Sequence, residues 1–238
     1  MYRTRSVHLG VKDRHMRTFS LQLELLVRSI ATPIVQLLAP PRCGICECEG
    51  ALLCAECRAE WLPDRAVALP AGSLTASAAL GPYEGGLGVA IRSMKYGGVQ
   101  GLARELGAAL LPAIRQVARR APYQVTLVPI PTDTHRVHAR GFDHAALLAH
   151  AAGEAARLPV RSLLTRIRAT DPLHGASRSA RAEIMRGAML CADEGEPPSA
   201  VVLIDDIQTS GATAREAARA LRVAGVRWIA VVSVAYER

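Results

Sequence analysis

Two adjacent carboxylates, Asp205 and Asp206, follow the apolar run Val201–Ile204, and a hydroxyl/glycine stretch, Thr209-Ser210-Gly211-Ala212-Thr213, comes after a two-residue spacer. Carboxylates at a strand tip can accept hydrogen bonds from two vicinal hydroxyls, as a ribose offers. Thr209, Ser210 and Thr213 supply hydroxyl donors, and Gly211 lets the backbone close on an anion. A helix beginning there adds aligned N–H groups. The segment therefore reads as a strand–loop–helix site for a ribose and its 5′-phosphate. The plainer alternative is a buried strand capped by an acidic turn.

Six cysteines form a second chemical pattern. Cys43-Gly-Ile-Cys46 and Cys54-Ala-Glu-Cys57 are two C-x2-C pairs separated by seven residues. Each pair can make a tight knuckle, and two knuckles close a tetrahedral four-sulfur site, for which structural zinc is the expected ion. A pair of disulfides or a redox C-x-x-C is the competing reading. Cys48 lies between the knuckles and could compete as a ligand, whereas Cys191 reads as a small core residue.

The elements that must position these groups follow from hydrophobic periodicity. Gly85–Lys95 and Gly101–Arg119 read as helices, the second with Leu102, Leu106, Leu110 and Ile114 on one face. Gln124–Ile130, Val160–Thr165, Ala200–Ile204 and Trp228–Val234 read as strands, and Ser73–Leu80 as another. Asp143 should N-cap a helix running to Ala156. Gly211–Ala224 should be a helix with Ala214, Ala217, Ala218 and Leu221 inward, Arg215, Arg219 and Arg222 outward, and Gly225 as its stop. Strand–helix alternation with continuous apolar strands predicts an α/β fold, a parallel sheet covered on both faces. The chain divides into a basic arm and amphipathic helix (1–40), a four-cysteine zinc ribbon (41–62), a Pro/Ala/Gly linker (Pro63–Gly72) and the α/β domain (73–238).

At 238 residues, 50% hydrophobic and 4% aromatic, the chain can build one full core from Ala, Val, Leu and Ile. The net charge is +8, nearly all from arginine, since Lys12 and Lys95 are the only lysines. Codon bias and a preference for phosphate both account for it. Residues 157–186 alone carry seven arginines against Asp171 and Glu183. Leu21–Ala39 is interrupted by Gln22, Glu24, Arg28 and Pro33, so neither a spanning helix nor a secretory signal is expected, and the cytoplasm is the expected location. His135, His138, His144 and His150 fit no tight metal spacing and read as solvated or helix-surface residues.

The D-D-x-x-T-S-G-x-T segment resembles the phosphoribosyl pyrophosphate (PRPP) motif of type I phosphoribosyltransferases. Upstream stand Lys95-Tyr96, Val128-Pro-Ile-Pro131 and Arg140-Gly141-Phe142, and an arginine-rich segment occupies Arg166–Arg186. With the cysteine ribbon, this order resembles the ComF (competence protein F, GntX-like) family from about Pro41 to Tyr236. The resemblance implies a Rossmann-like phosphoribosyltransferase domain preceded by a zinc ribbon, and PRPP binding with Mg2+. It implies that Asp205 and Asp206 orient the ribose and that residues 209–213 hold the 5′-phosphate. Arg140 and the Gly141 backbone would contact pyrophosphate. Arg166, Arg168, Arg178 and Arg181 would belong to a hood that closes on it.

If the chain is an enzyme, the implied reaction is displacement of pyrophosphate from C1 of PRPP by a nitrogen nucleophile. The resemblance also implies a link to DNA uptake, with single-stranded DNA and competence helicase-type proteins as partners. The rival class is a non-catalytic protein that senses PRPP or a nucleotide, or handles single-stranded DNA. The chain departs from the family where R-G-F-N-Q gives way to Asp143 and His144. In the hood, Leu173, Arg181 and Ile184 replace amide-bearing patterns. Thr209 stands where purine-salvage relatives carry an acid, and no general base is evident.

Overall fold

The structure, a computed structural model, describes residues 40–62, 65–97, 99–168, 178–192 and 195–237, without the side chains of 178, 179, 181 and 182. The expectations for the basic arm, for the Leu21–Thr32 helix and for Leu173 lie outside the described residues. In chain order the elements are α1 (Ala55–Trp61), β1 (Val67–Ala68), β2 (Ala76–Pro82), α2 (Gly85–Tyr96), α3 (Gly101–Ala109), α4 (Leu111–Ala118) and β3 (Val125–Pro129). Then come α5 (Thr134–Arg140), α6 (His144–Ala156), β4 (Leu164–Arg166), α7 (Arg178–Met185), β5 (Met189–Cys191), β6 (Ala200–Gln208), α8 (Ala212–Val223) and β7 (Trp228–Tyr236).

The main sheet has the order β1-β2-β7-β6-β3. Its β2–β7, β7–β6 and β6–β3 pairs are parallel, and only the edge strand β1 runs antiparallel. This is the expected α/β class, with apolar residues on both faces of the central strands. Along β6, Ala200, Val202 and Ile204 face one apolar cluster with α2, α3, α4 and α6. Val201 and Leu203 face a second cluster with α8, Met185 and the β4–β5 pair. Alternation along a strand therefore decides which layer each residue serves.

Several boundaries differ from the sequence reading, and the strand expected over Val160–Thr165 is only an isolated parallel bridge of Val160 to Leu127 followed, from Leu164, by the antiparallel β4–β5 pair outside the main sheet. The Gly101–Arg119 helix is two helices, α3 and α4, because Pro112 in the first turn of α4 has no N–H to continue the ladder. Its expected inward face survives the break: Leu102, Leu106, Leu110 and Ile114 are all buried. The Pro63–Gly72 linker contains β1, whose Val67 and Ala68 pair with Ala79 and Ala78 and cover the sheet edge. The strand expected to end at Ile204 runs on to Gln208, with Asp205 opposite Ser233 in the ladder. The carboxylates thus sit within the strand, one toward each face.

The cysteine-bearing segment rests on the main core. Cys43, Leu53, Cys54 and Cys57 join the cluster containing α2 and α3. Ser93 of α2 donates its hydroxyl to the Gly44 carbonyl at 2.8 Å, and Arg58 pairs with Glu105. A β-carbon on Gly86 would come within 2.5 Å of the Trp61 indole, so glycine is what lets α1 lie against α2. Helix α8 stops as expected: Gly225 has φ +102°, its N–H reaches Arg222 O, and Val226 N–H reaches Leu221 O.

Candidate functional site

The carboxyl ends of β3, β6 and β7 and the loops beyond them carry the site, as parallel sheets generally arrange. Asp206 points toward the α2/α6 layer and is buried. Its Oδ2 lies 2.6 Å from Lys95 Nζ and 2.5 Å from His144 Nε2. Burial alone would raise its pKa, but the charge of Lys95 and the hydrogen bond from His144 outweigh that and hold it well below the usual carboxylate range. Asp205 points the other way, half-buried, and its Oδ1 accepts the Asp206 N–H at 2.9 Å. Burial and the neighbouring Asp206 charge push it up to about 7, against that hydrogen bond and the charges of Lys95 and Arg166. Two consecutive acids are thereby separated into one committed anion and one poised group.

The loop after β3 becomes a short helix rather than an open turn. Asp133 accepts the His135 N–H at 3.0 Å and starts α5. Arg140 is the last residue of α5, and Gly141 at φ +82° reverses the chain so that Asp143 can cap α6. Asp143 accepts from the N–H groups of Ala145 and Ala146, the expected cap. Arg140 Nη1 stands 2.5 Å from His144 Nδ1, and its guanidinium lies over the Tyr96 ring at 5.6 Å from the centroid.

The Thr209–Gly211 loop leads into α8 through Gly211, whose φ of +71° favours glycine. The Ser210 hydroxyl accepts the Ala212 N–H at 3.4 Å, and Arg215 Nη1 donates to the Ser210 carbonyl at 2.8 Å. Thr209, Ser210 and Gly211 line a cavity of about 420 Å³. Leu69–Gly72, from the supposed linker, also line it, together with Leu74 and Tyr236. Ala212 and Thr213 stand in the first turn of α8, outside that lining.

The hood arginines divide. Arg166, on β4, faces the acids: burial lowers its pKa, and the negative charges of Asp133 and Asp205 work against that. Arg168 instead donates to the carbonyls of Ile184 and Arg186 at 2.6 and 3.0 Å, tying β4 to the end of α7. Arg178 and Arg181 lie on α7, with side chains outside the described residues.

The four knuckle cysteines come together as expected. Their sulfurs lie within 4.8 Å of one another, and Cys46 Sγ is 3.7 Å from Cys54 Sγ. Tetrahedral ligands about 2.3 Å from a common ion stand roughly 3.8 Å apart, so the cluster fits a metal. Burial would raise the Cys43 thiol, but the N–H groups of Cys46, Cys54 and Ile45 outweigh it and bring it to about 6. Cys48 is exposed and outside this group; Cys191 is half-buried on β5.

One residue corrects the sequence reading outright. His144, expected to be a solvated or helix-surface residue, is buried and touches both Arg140 and Asp206. Its signal is the apolar stripe of α6: His144 lies four and eight residues before Leu148 and Ala152, both fully buried. Lys95, whose role the motif leaves open, is the ion-pair partner of Asp206.

An α/β protein with a mostly parallel sheet, two adjacent acids on its strand β6, a hydroxyl/glycine loop after them and four clustered cysteines that could hold a metal ion is thus defined. The chain is 27% identical to Competence protein F of Haemophilus influenzae (strain ATCC 51907 / DSM 11121 / KW20 / Rd) over 161 residues, 66% of this chain and 70% of that protein. The resemblance read from the motifs is borne out by this similarity. No family model matches the chain. Two solved structures align over 55% of the chain. One is the allosteric regulatory enzyme of purine biosynthesis (19% identity, TM-score 0.33). The other is glutamine PRPP amidotransferase from B. subtilis with ADP and GMP (22%, 0.32). The chain spans only 25% of the length of each. Among the described residues, no helix is long and apolar enough to cross a membrane.

Proposed function

We propose that the chain binds PRPP together with Mg2+ and presents it to a nitrogen acceptor, with residues 73–238 as the binding domain and a zinc ribbon at 41–62. The observation that carries this reading is the Asp205/Asp206 pair near the carboxyl end of β6, just before the Thr209–Thr213 loop, with Arg166 close to Asp205 on one face and Arg140 joined to Asp206 through His144 on the other. In this reading Thr209, Ser210, Gly211, Ala212 and Thr213 hold the 5′-phosphate, whose binding energy orients the distant C1. Asp205 accepts from a ribose hydroxyl, and Arg140 and Arg166 face the pyrophosphate and the charge that develops on it; the Gly141 N–H, expected there too, is instead given to the Val137 carbonyl at 2.7 Å. Arg178 and Arg181 complete the hood, while Arg168 shapes it. Mg2+ bound with the ligand neutralises pyrophosphate charge. Cys43, Cys46, Cys54 and Cys57 hold a structural zinc ion, since a saturated four-sulfur set leaves no open position for substrate.

The test is calorimetric titration of PRPP with and without Mg2+ on the wild type and on Asp206→Asn, with folding checked by melting. Mg2+-dependent binding in the wild type and its loss in the folded variant support the reading; no binding by the wild type overturns it. Pyrophosphate release screened over bases and amines then decides between a transferase and a sensor. A second reading, handling of single-stranded DNA, is favoured by the net charge of +8 and the exposed Tyr96 ring, a surface on which a base could stack. Affinity for an oligonucleotide that falls steeply with salt supports it; no binding at low salt ends it.

A further inference from the structure

We infer that His144 is a positioning residue that ties Arg140, the arginine assigned to pyrophosphate, to the buried carboxylate of Asp206, and that only its neutral ring can hold both. The proposal rests on the PRPP reading above for what Arg140 serves, and on geometry alone for the link itself.

The ring is buried at the first turn of α6, with Nδ1 at 2.5 Å from Arg140 Nη1 and Nε2 at 2.5 Å from Asp206 Oδ2. A guanidinium has hydrogens to give and no lone pair to receive with, so Nδ1 must accept. An ionised carboxylate only accepts, so the ring hydrogen stands on Nε2. One neutral tautomer satisfies both neighbours. A second proton would set an N–H and a positive charge against Arg140 and expel the guanidinium. Nor does Asp206 need a charged ring, because Lys95 on α2 already lies 2.6 Å from the same oxygen.

The other groups around the ring agree with this reading. The Thr132 hydroxyl lies 3.5 Å from Nδ1 and donates instead to Asp143 Oδ1 at 3.0 Å, the oxygen that caps α6. Asp205, on the opposite face of β6, is the other titratable group nearby, raised by its burial and by the Asp206 charge. Arg140 is therefore held between the ring of Tyr96 and the lone pair of His144, at the end of a short helix beside a glycine, where it would otherwise swing. A fixed guanidinium binds a phosphate oxygen without first losing its rotamer freedom.

The experiment compares PRPP titrations on wild type, His144→Leu and His144→Gln at about pH 8. His144→Leu should weaken PRPP by about tenfold to a hundredfold, and weaken ribose 5-phosphate, which lacks the pyrophosphate, by less. His144→Gln should rescue most of that loss, because its amide accepts from Arg140 and donates to Asp206. Folded His144→Leu binding as wild type does, or folded His144→Gln as weak as His144→Leu, overturns the proposal. Nitrogen-15 spectra of the free protein give a readout that needs no ligand. At about pH 8, Nδ1 should be unprotonated and Nε2 protonated, and the reverse tautomer or a doubly protonated ring overturns the link. If wild type fails to bind PRPP, the functional reading falls while these spectra still decide the tautomer.

Discussion

The cysteine cluster and the acid pair solve the same problem, holding like charges close together, by opposite means. In the cluster, four potential thiolates come from fifteen consecutive residues, Cys43 to Cys57, and two local turns are enough to converge them. In the acid pair, Asp205 and Asp206 are neighbours in sequence, yet β-strand alternation sends them to opposite faces, where different partners set their charge. Asp206 has Lys95 and His144; Asp205 has its hydrogen bond and the more distant charges. A site built from local turns is complete once its residues are present. A site built across layers exists only after the sheet and its helices have packed.

Cys54→Ser challenges this contrast most severely. If the cluster holds zinc, elemental analysis should find about one equivalent in the wild type and almost none in the variant. Because Cys43, Cys54 and Cys57 belong to the main core, the loss should exceed that of an appended module: several kcal/mol, seen as a large fall in Tm. A wild type free of metal at full stability would remove the cluster from the contrast. Lys95→Met tests the other region. It leaves the buried Asp206 charge short of its main partner, and urea unfolding should report a loss of about 3–5 kcal/mol. A loss below about 1 kcal/mol would mean the pair behaves as a surface salt bridge.

Asp205 separates the two acids by pH. Its folded-state pKa, near 7, lies above the ordinary carboxylate value, so its contribution to stability is fully present in acid and is lost as pH rises through about 7. Melting curves of the free protein should show that loss, and Asp205→Asn should flatten it. PRPP affinity should move oppositely, increasing as pH rises through the same range while the ribose hydroxyl gains an ionised acceptor. Equal slopes in wild type and variant would show that Asp205 is not the titrating group. The smallest effect is expected from Asp143→Ala, which removes the α6 cap at a cost of about 1 kcal/mol in denaturant unfolding. Since His144 follows directly, PRPP affinity should fall as well; a stability loss with unchanged affinity would separate the cap from the site.

Much of this is legible from residue types and periodicity. The knuckle spacing, the apolar strands, the Asp143 cap, the Gly225 stop and the inward alanines of α8 all depend on interactions within a few residues, which a linear pattern records directly. Other features depend on partners far apart in the chain. Pro63–Gly72 reads as a linker because nothing local reveals that Val67 meets Ala79, or that Leu69–Gly72 lines one cavity with Thr209–Gly211. Arg168 reads as a phosphate ligand, whereas its guanidinium lies on the carbonyls of Ile184 and Arg186.

The residue order alone states which chemistry is on hand: four thiols at metal spacing, two acids, a glycine-led hydroxyl loop and an excess of arginine. How those groups are charged and aimed comes from tertiary packing. It sets Lys95 and His144 against Asp206, leaves Asp205 poised, and makes a histidine without a metal spacing the link between Arg140 and the sheet. The reason is physical: a pKa or a hydrogen-bonding tautomer is set by burial and by charges a few ångströms away, and those neighbours come from helices and strands tens of residues apart.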